Sequence, residues 1–388
     1  MREVAIIGIG ETKIGELWDL SLRDLGIHAG LEAIQDAGVT GDEIEKLYIG
    51  NMSAGRLINQ EHIAPMIADY AGLEGTPAVR IESGGASGGM ALAEGFMAVA
   101  SGMNDIVVVG GAEKMTDVGD VEAKDILSST GDREWESVFG ATFDSLYALM
   151  AKHHMDVYGT TREQLAQVAV KNHYNGARNP NAQFQREIPL KMVLNSPAVS
   201  TPLGMFDCAP LSDGGAAVVL CPVEIAESYS GKPVRMMGVG MGSDHMAVHD
   251  RQSIDTMKAT NLAARRALDM TGLECSNMDF AEVHDNYTIS EIMAIEDIGF
   301  FNKGDGGPAT QRGDTALNSK ISVNPSGGLK AKGQPVGAVG INQAVEAVIQ
   351  LRDKAGDRQV DDAEYGLTHN VGGTGGSAVV HIFGRWSP

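Results

Sequence analysis

Ser83-Gly84-Gly85-Ala86-Ser87-Gly88-Gly89 follows the apolar run Ala78–Ile81 and opens a pattern that predicts a helix over Ser87–Ala100. The same succession returns late in the chain. There Ile321–Val323 leads into Asn324-Pro325-Ser326-Gly327-Gly328-Leu329, then Gly333-Gln334-Pro335-Val336-Gly337, then a helical pattern from about Ala338 to Leu351. Short apolar runs bounded by turn residues read as buried strands, and longer runs with a 3.6-residue period as helices. A glycine-rich strand-to-helix turn presents backbone N–H groups at a positive helix end, which favours anions and developing oxyanions. Two such turns at matching places read as a duplicated α/β unit. Neither is a GxGxxG turn followed by an acidic ribose ligand, and GxxxxGK[ST] is absent, which excludes a dinucleotide fold and a phosphate loop.

Working outward, the first half carries strand-like runs at Val4–Ile9, Leu47–Ile49, Ala78–Ile81, Ile106–Val109 and, after a long polar insertion, Ala216–Leu220. Helical patterns at about Ser21–Ala37, Glu61–Ala71 and Ser87–Ala100 lie between them. The second half echoes this with strands at Val234–Val239, Phe280–Val283, Ile321–Val323, Tyr365–His369 and Ser377–Phe383. Its helices are expected at Asp255–Asp269, Ile289–Ile298 and Ala338–Leu351. Alternating strands and helices imply sheets covered by helices on both faces.

The chain has 388 residues, 43% hydrophobic and 21% charged, which suits two domains or one duplicated large one. Its net charge of −21 argues against nucleic acid and anionic membrane surfaces as partners. Met1–Ile7 runs into a strand pattern without a signal-peptide core, and no apolar stretch approaches membrane-spanning length, so a cytoplasmic location is expected. The three cysteines, Cys208, Cys221 and Cys275, are widely spaced and offer neither a disulfide framework nor a CxxC metal site. No spacing among His153, His154, His173, His245 and His249 requires a metal, and these read as surface or loop residues. Between Ala151 and Asn195 six basic residues stand against three acidic ones, a local excess of +3 that fits a phosphate-binding segment.

Taken in order, Glu82–Gly89, Val283-His284-Asp285, Asn324–Gly328, Lys332-Gly333-Gln334-Pro335 and His369-Asn370-Val371-Gly372-Gly373 resemble the thiolase superfamily, in particular its archaeal and sterol-carrier-protein-like branch. Val109–Met115 and Asp207–Gly214 are similar to its other signature stretches, and the likeness spans nearly the whole chain. It implies an α/β thiolase fold, a duplicated five-layered αβαβα arrangement. An N-terminal half over residues 1–225 would include a CoA-covering insertion at about 116–200, and a C-terminal half would span 226–388. It also implies a homodimer, coenzyme A as part of the substrate, no tightly bound cofactor and no metal. The chain also resembles the cysteine-less thiolase-like aldolases, which often pair with a small OB-fold, zinc-ribbon subunit.

The departures concern the chemistry. Family members carry the acyl-accepting cysteine at the position of Gly85, a histidine at that of Gln334, and many a cysteine at that of Asn286. A thiolase needs a thiolate that attacks the thioester and carries the acyl group. Glycine cannot do this, and glutamine has no titratable proton, although it still donates hydrogen bonds. His369 matches the second acid/base position and is expected to be the base, while His284, followed by Asp285 at a strand end facing the expected pocket, is expected to hold the thioester oxygen. The N–H groups of Gly85 and Gly372 match an oxyanion hole. Tyr287 adds a phenol, with core packing as the alternative. Arg162, Lys171 and Arg178 are expected to hold CoA.

Three readings follow. The first is an enzyme that makes or breaks a C–C bond without an acyl-cysteine, by aldol or retro-aldol chemistry on a 3-hydroxyacyl-CoA. The second is a non-catalytic acyl-CoA-binding subunit of a complex. The third is an acyltransferase with another nucleophile, such as Ser83 or Ser87.

Overall fold

The computed structural model describes residues 1–229 and 231–386. Twelve strands occur among them: β1 Val4–Glu11, β2 Lys46–Gly50, β3 Ala78–Ile81, β4 Val107–Glu113, β5 Ala198–Ser200, β6 Leu203–Gly204, β7 Gly214–Pro222, β8 Val234–Ser243, β9 Phe280–Glu282, β10 Ser322–Val323, β11 Tyr365–Gly372 and β12 Ser377–Arg385. Ten form one sheet in the order β10-β9-β11-β12-β8-β1-β7-β4-β2-β3, and β5 pairs with β6 in a separate hairpin. From the middle outward the two halves repeat each other. β1-β7-β4 and β8-β12-β11 pair antiparallel, and β4-β2-β3 and β11-β9-β10 continue in parallel. Among the described residues, Val4↔Met236, Ala5↔Arg235 and Ile6↔Val234 join the halves within the sheet.

The layers follow from which faces are apolar. Helix Leu22–Ala37 covers β1, β7 and β4 on one outer side, and helix Lys258–Thr271 covers β8 and β12 on the other. Helices Ser87–Ala100 and Val339–Leu351 lie between the two half-sheets and are buried along nearly their whole length. The result is the duplicated five-layered αβαβα thiolase arrangement that the motifs implied. β4 is buried throughout, as its continuous Val107-Val108-Val109 run requires of a central strand covered on both faces. β4 and β11 run several residues beyond their apolar cores. Gly110–Glu113 and Asn370–Gly372 look unlike strands in sequence, and their pairing with β7 and β12 holds them extended.

Both outer helices sit unusually close to their sheets, for the same reason. A Cβ on Gly240 in β8 would collide with the carbonyl of Ala263 in helix Lys258–Thr271, and one on Gly8 in β1 with the carbonyl of Ala33 in helix Leu22–Ala37. Gly8-Ile9-Gly10 and Gly238-Val239-Gly240 are therefore the same device used twice, a repeat that the apolar patterns alone conceal.

Between β4 and β7 the chain leaves the sheet to form helices Asp120–Ser128, Phe143–Tyr158, Arg162–Gly176 and Leu190–Leu194 with the β5–β6 hairpin. Two histidines expected at the surface here are buried instead. His154 bonds Thr160 and Glu296, and His173 stacks on Phe184, because both lie on the inward faces of amphipathic helices.

Replacing Gly240 by Val should lower the urea midpoint by an amount equivalent to about 1–3 kcal/mol or more, since the obstructing atoms are backbone. An unchanged midpoint would mean that helix Lys258–Thr271 is not held against β8 as described.

Candidate active site

Two glycine turns, one from each half, meet at the inner end of the central helices. Gly84–Ala86 forms a tight turn ahead of helix Ser87–Ala100, and β11 ends in Val371-Gly372, followed by Gly373. A Cβ on Gly85 would stand 2.5 Å from the carbonyl oxygen of Val371, and one on Gly84 only 3.1 Å from the nitrogen of Gly373. The third party to this contact is His284. Its Cε1 and Nε2 would lie 2.8 and 3.1 Å from the same Gly85 Cβ. The space that a side chain at position 85 would need is occupied by a backbone carbonyl and an imidazole edge.

Gly85, His284, Gln334, Val371 and Gly373 line a small chamber of about 10 Å³. It lies between two larger cavities. One, of about 280 Å³, shares Leu127, Phe143 and Gln334 with the chamber, and the other, of about 570 Å³, shares Met52, Thr130 and Gly373. Gly372 lines the larger of these two. Gly85 and Gly372, expected from sequence to donate to an oxyanion, thus sit on adjoining walls.

His284 is fully enclosed, and its Nδ1 has no hydrogen-bond partner. Burial holds its imidazole far below the usual histidine range, at about 3, so the ring is neutral at physiological pH. His369 stands behind it. Its Nδ1 accepts a long 3.5 Å bond from the backbone N–H of His284, and its Nε2 lies 2.8 Å from Thr260 Oγ1. With both nitrogens engaged and no exposure, His369 lines none of the three cavities. Burial, and then neighbouring His284, lower it to about 3 as well.

Asp285 faces away from the chamber. Its carboxylate accepts from the backbone N–H groups of Leu329 (2.6 Å) and Lys330 (3.2 Å) and from Asn172 Nδ2 (2.7 Å). The second glycine-rich turn, expected to offer its helix N-terminus to a ligand anion, is already occupied by the protein's own carboxylate. Burial raises the Asp285 pKa, and the nearby Glu291 carboxylate raises it further. Tyr287 lies in the wall of the 280 Å³ cavity, stacked at 4.5 Å on Tyr147, and donates to Asp144 Oδ1 at 2.6 Å. Burial keeps its phenol protonated.

The three basic residues expected to hold CoA are all engaged within the chain. Arg162 forks onto Asp207. Arg178 pairs with Glu187 at 2.9 Å and lies over the Tyr174 ring. Lys171 is not a surface cation. It is buried, bonding the Val323 carbonyl at 2.7 Å and Glu291 at 3.1 Å. The sequence shows the excess of positive charge in this segment, but not that its carboxylate partners come from residues 187, 207 and 291.

Of the cysteines, Cys221 is buried in β7, and Cys275 donates to the Ile298 carbonyl. Cys208 lines the 280 Å³ cavity, and burial pushes its thiol up to about 12, so it carries no thiolate near neutrality. Ser87 donates to the Gly84 carbonyl, and Ser83 pairs with Ser377 Oγ; neither has a histidine for a partner. Sequence reading missed Lys330, whose ammonium enters the 280 Å³ cavity. Its neighbour Lys332 is bonded to Glu11, and nothing in the run Leu329–Lys332 tells the two lysines apart.

Comparison with known proteins agrees with this architecture. Residues 4–202 match the family model "Thiolase, N-terminal domain", and residues 240–385 match "Thiolase C-terminal domain-like". An acetyl-CoA acetyltransferase of Methanothermobacter thermautotrophicus is 53% identical over 99% of this chain and 100% of its own length. One from Methanocaldococcus jannaschii is 45% identical over 98% of this chain and 99% of its own. A solved structure described as an Ltp2-ChsH2(DUF35) aldolase superposes with a TM-score of 0.85 at 27% identity, covering 99% of this chain and 98% of that one. The repeated sheet, the meeting of the two glycine turns and these matches over nearly the full length show that the chain belongs to the thiolase family.

Proposed function

We propose that this thiolase-like acyl-CoA enzyme makes or breaks the C2–C3 bond of a 3-hydroxyacyl-CoA without a covalent acyl-enzyme. The observation that carries the reading is the closed space at Gly85, where the Val371 carbonyl and the His284 ring leave no room for a nucleophilic side chain. In the cleavage direction, neutral His284 takes the proton of the substrate's 3-hydroxyl. The O–H electrons form the new C=O, and the C2–C3 bond breaks. Its electron pair passes to the thioester as an enolate, and reprotonation at C2 gives the shorter acyl-CoA and an aldehyde or ketone. The Gln334 amide and the N–H groups of Gly85 and Gly372 stabilise the enolate oxygen. His284 takes the base role in preference to His369 because it lines the chamber with its Nε2 edge at Gly85, whereas both ring nitrogens of His369 are engaged. His369 then orients the His284 backbone.

The aldolase named in the structural comparison supports this reaction class, and the DUF35 component in its name supports a partner subunit, for which we propose the small OB-fold, zinc-ribbon kind. The acetyltransferase names of the archaeal relatives favour acyl transfer as the second reading. It would need a nucleophile other than Cys208, whose thiol is held protonated, and a base beside Ser83 or Ser87. A homodimer also fits, since β3 closes the sheet with a free edge among the described residues.

Intact-protein mass spectrometry after incubation with acetyl-CoA should show no added acetyl mass, and a broad 3-hydroxyacyl-CoA panel, with a DUF35 partner supplied, should contain a cleaved member. An acetyl adduct would establish the transferase reading instead. If His284 is the base, His284→Ala should lower turnover on that substrate by roughly 10²–10⁴-fold with CoA binding retained. Full activity in this variant would return the role to His369.

The pH profile gives an independent check. A base must be unprotonated to act, and burial moves the protonation of His284 from the ordinary 6.5 to about 3. The acid limb of kcat/KM due to this residue should therefore lie well below pH 5, leaving the profile level between about pH 5.5 and 7. A limb centred near 6.5 would point to an exposed imidazole.

Lys171→Met should act on folding. Leaving Glu291 buried without its cation should cost about 3–5 kcal/mol in urea unfolding while CoA affinity by calorimetry stays the same. Preserved stability with weakened CoA binding would restore Lys171 to the ligand site.

A further inference from the structure

Lys330 stands apart from the other buried cations of this chain. It follows the Asp285-capped turn, is only 3% exposed, and projects into the 280 Å³ cavity beside the reaction chamber. Lys114, Lys171, Lys332, Arg352 and Arg358, also buried, each have a carboxylate within 3.1 Å, and buried Arg251, without an ion pair among the described residues, donates to the carbonyls of His245, Met246 and Thr374. Lys330 has no ion pair or side-chain hydrogen bond among the described residues. Its ammonium lies 5.7 Å from the Phe184 ring centroid and 5.9 Å from that of Phe206. Aromatic faces hold a cation in place but replace little of its lost hydration.

The charges around the cavity have a definite sign. Lys124, Asp144 and Lys330 are its only charged lining residues, and Lys124 pairs with Asp144 at 3.1 Å. Asp144 also accepts from the Tyr287 hydroxyl. The lining charges thus leave one net positive charge on the wall, while the Asp285 and Asp207 carboxylates behind it, each bonded elsewhere, act on Lys330 only through space. The rest of its wall near Lys330, including Phe184, Met205 and Phe206, is apolar. A desolvated ammonium without a partner gains most from a ligand that brings a negative oxygen.

We propose that Lys330 recognises an anionic oxygen of the acyl-CoA, either a carboxylate on its acyl group or a phosphate of CoA, making this cavity a selective site for a negatively charged part of the substrate. Gln334, Leu127 and Phe143 border both cavity and chamber, so a group anchored at Lys330 is continuous with the reacting centre. Burial lowers the amine to about 8, so it remains largely charged at neutral pH, and an anionic ligand would keep it so. The assignment rests on the acyl-CoA reading above, but binding tests it without any turnover.

The experiment is calorimetric titration of the full chain and its Lys330→Met variant with succinyl-CoA, butyryl-CoA and pantetheine. Lys330→Met is close to isosteric, and its urea midpoint verifies folding. If the acyl carboxylate is the partner, the variant should lose about tenfold or more affinity for succinyl-CoA and little for butyryl-CoA. If a CoA phosphate is the partner, both thioesters should weaken alike while pantetheine, which has no phosphate, is unaffected. Equal affinities of parent and variant for all three ligands, or an equal loss that includes pantetheine, would overturn the proposal. Should Lys330→Met fail to fold, Lys330→Gln serves in the same titration. Failure of the aldol reading alone would leave these affinities unchanged, so the two claims fail separately.

Discussion

The two halves of this protein are held together by an approach so close that side chains are excluded from it. Where helices Ser87–Ala100 and Val339–Leu351 begin, a Cβ on Gly340 would overlap the backbone nitrogen of Gly89, and one on Gly88 would stand 2.8 Å from the Gly337 carbonyl. Backbone packed on backbone brings the Gly84–Ala86 turn against Val371–Gly373 and against His284, three segments that are distant in sequence. The carboxylate of Glu113 strengthens the seam, accepting from the N–H groups of Met52 and Gly337. Burial raises that carboxyl to about 7, the consequence of closing the seam over it. The reaction chamber is what remains at the inner end of this contact.

The same closeness explains the chemistry. A thiolase-type site needs room for an acylated side chain beside a base. Here the His284 ring lies over the α-carbon of Gly85 itself. In an enclosure this dry, imidazole is neutral, and hydrogen bonds to a developing oxyanion gain strength from the low dielectric. Burial disfavours protonation of His284, and in the proposed reaction the enolate formed in the same step would supply the compensating charge. In the proposed reaction, a fold that elsewhere in the family performs covalent catalysis serves proton transfer and enolate stabilisation.

Much of the architecture was legible in the sequence because apolar runs and glycine turns are local signals. The ten sheet strands were found from such runs, and the duplication from paired turns. The site was less legible, because its logic depends on which side chain meets which. Asp285 reads as an active-site acid until its carboxylate is seen capping Leu329 and Lys330. Lys171 reads as a phosphate ligand until Glu291 is seen beside it. His284 and His369 occupy equivalent motif positions in sequence, and only burial and pairing separate the ring facing the chamber from the one behind it. Lys330 shows the reverse case: an unremarkable lysine one position from the turn becomes a buried cation with neither an ion pair nor a side-chain hydrogen bond among the described residues. Contacts between residues 44 or more positions apart carry these distinctions.

The central claim is that this site forms a thioester enolate without first forming an acyl-enzyme. The most direct measurement is hydrogen exchange at C2 of acetyl-CoA in D₂O, followed by the loss of its methyl proton signal in NMR. The account predicts protein-catalysed deuterium incorporation well above the rate in protein-free buffer, with the thioester intact. Exchange no faster than in buffer, across acetyl-CoA and longer acyl-CoAs with a DUF35 partner present, would contradict it.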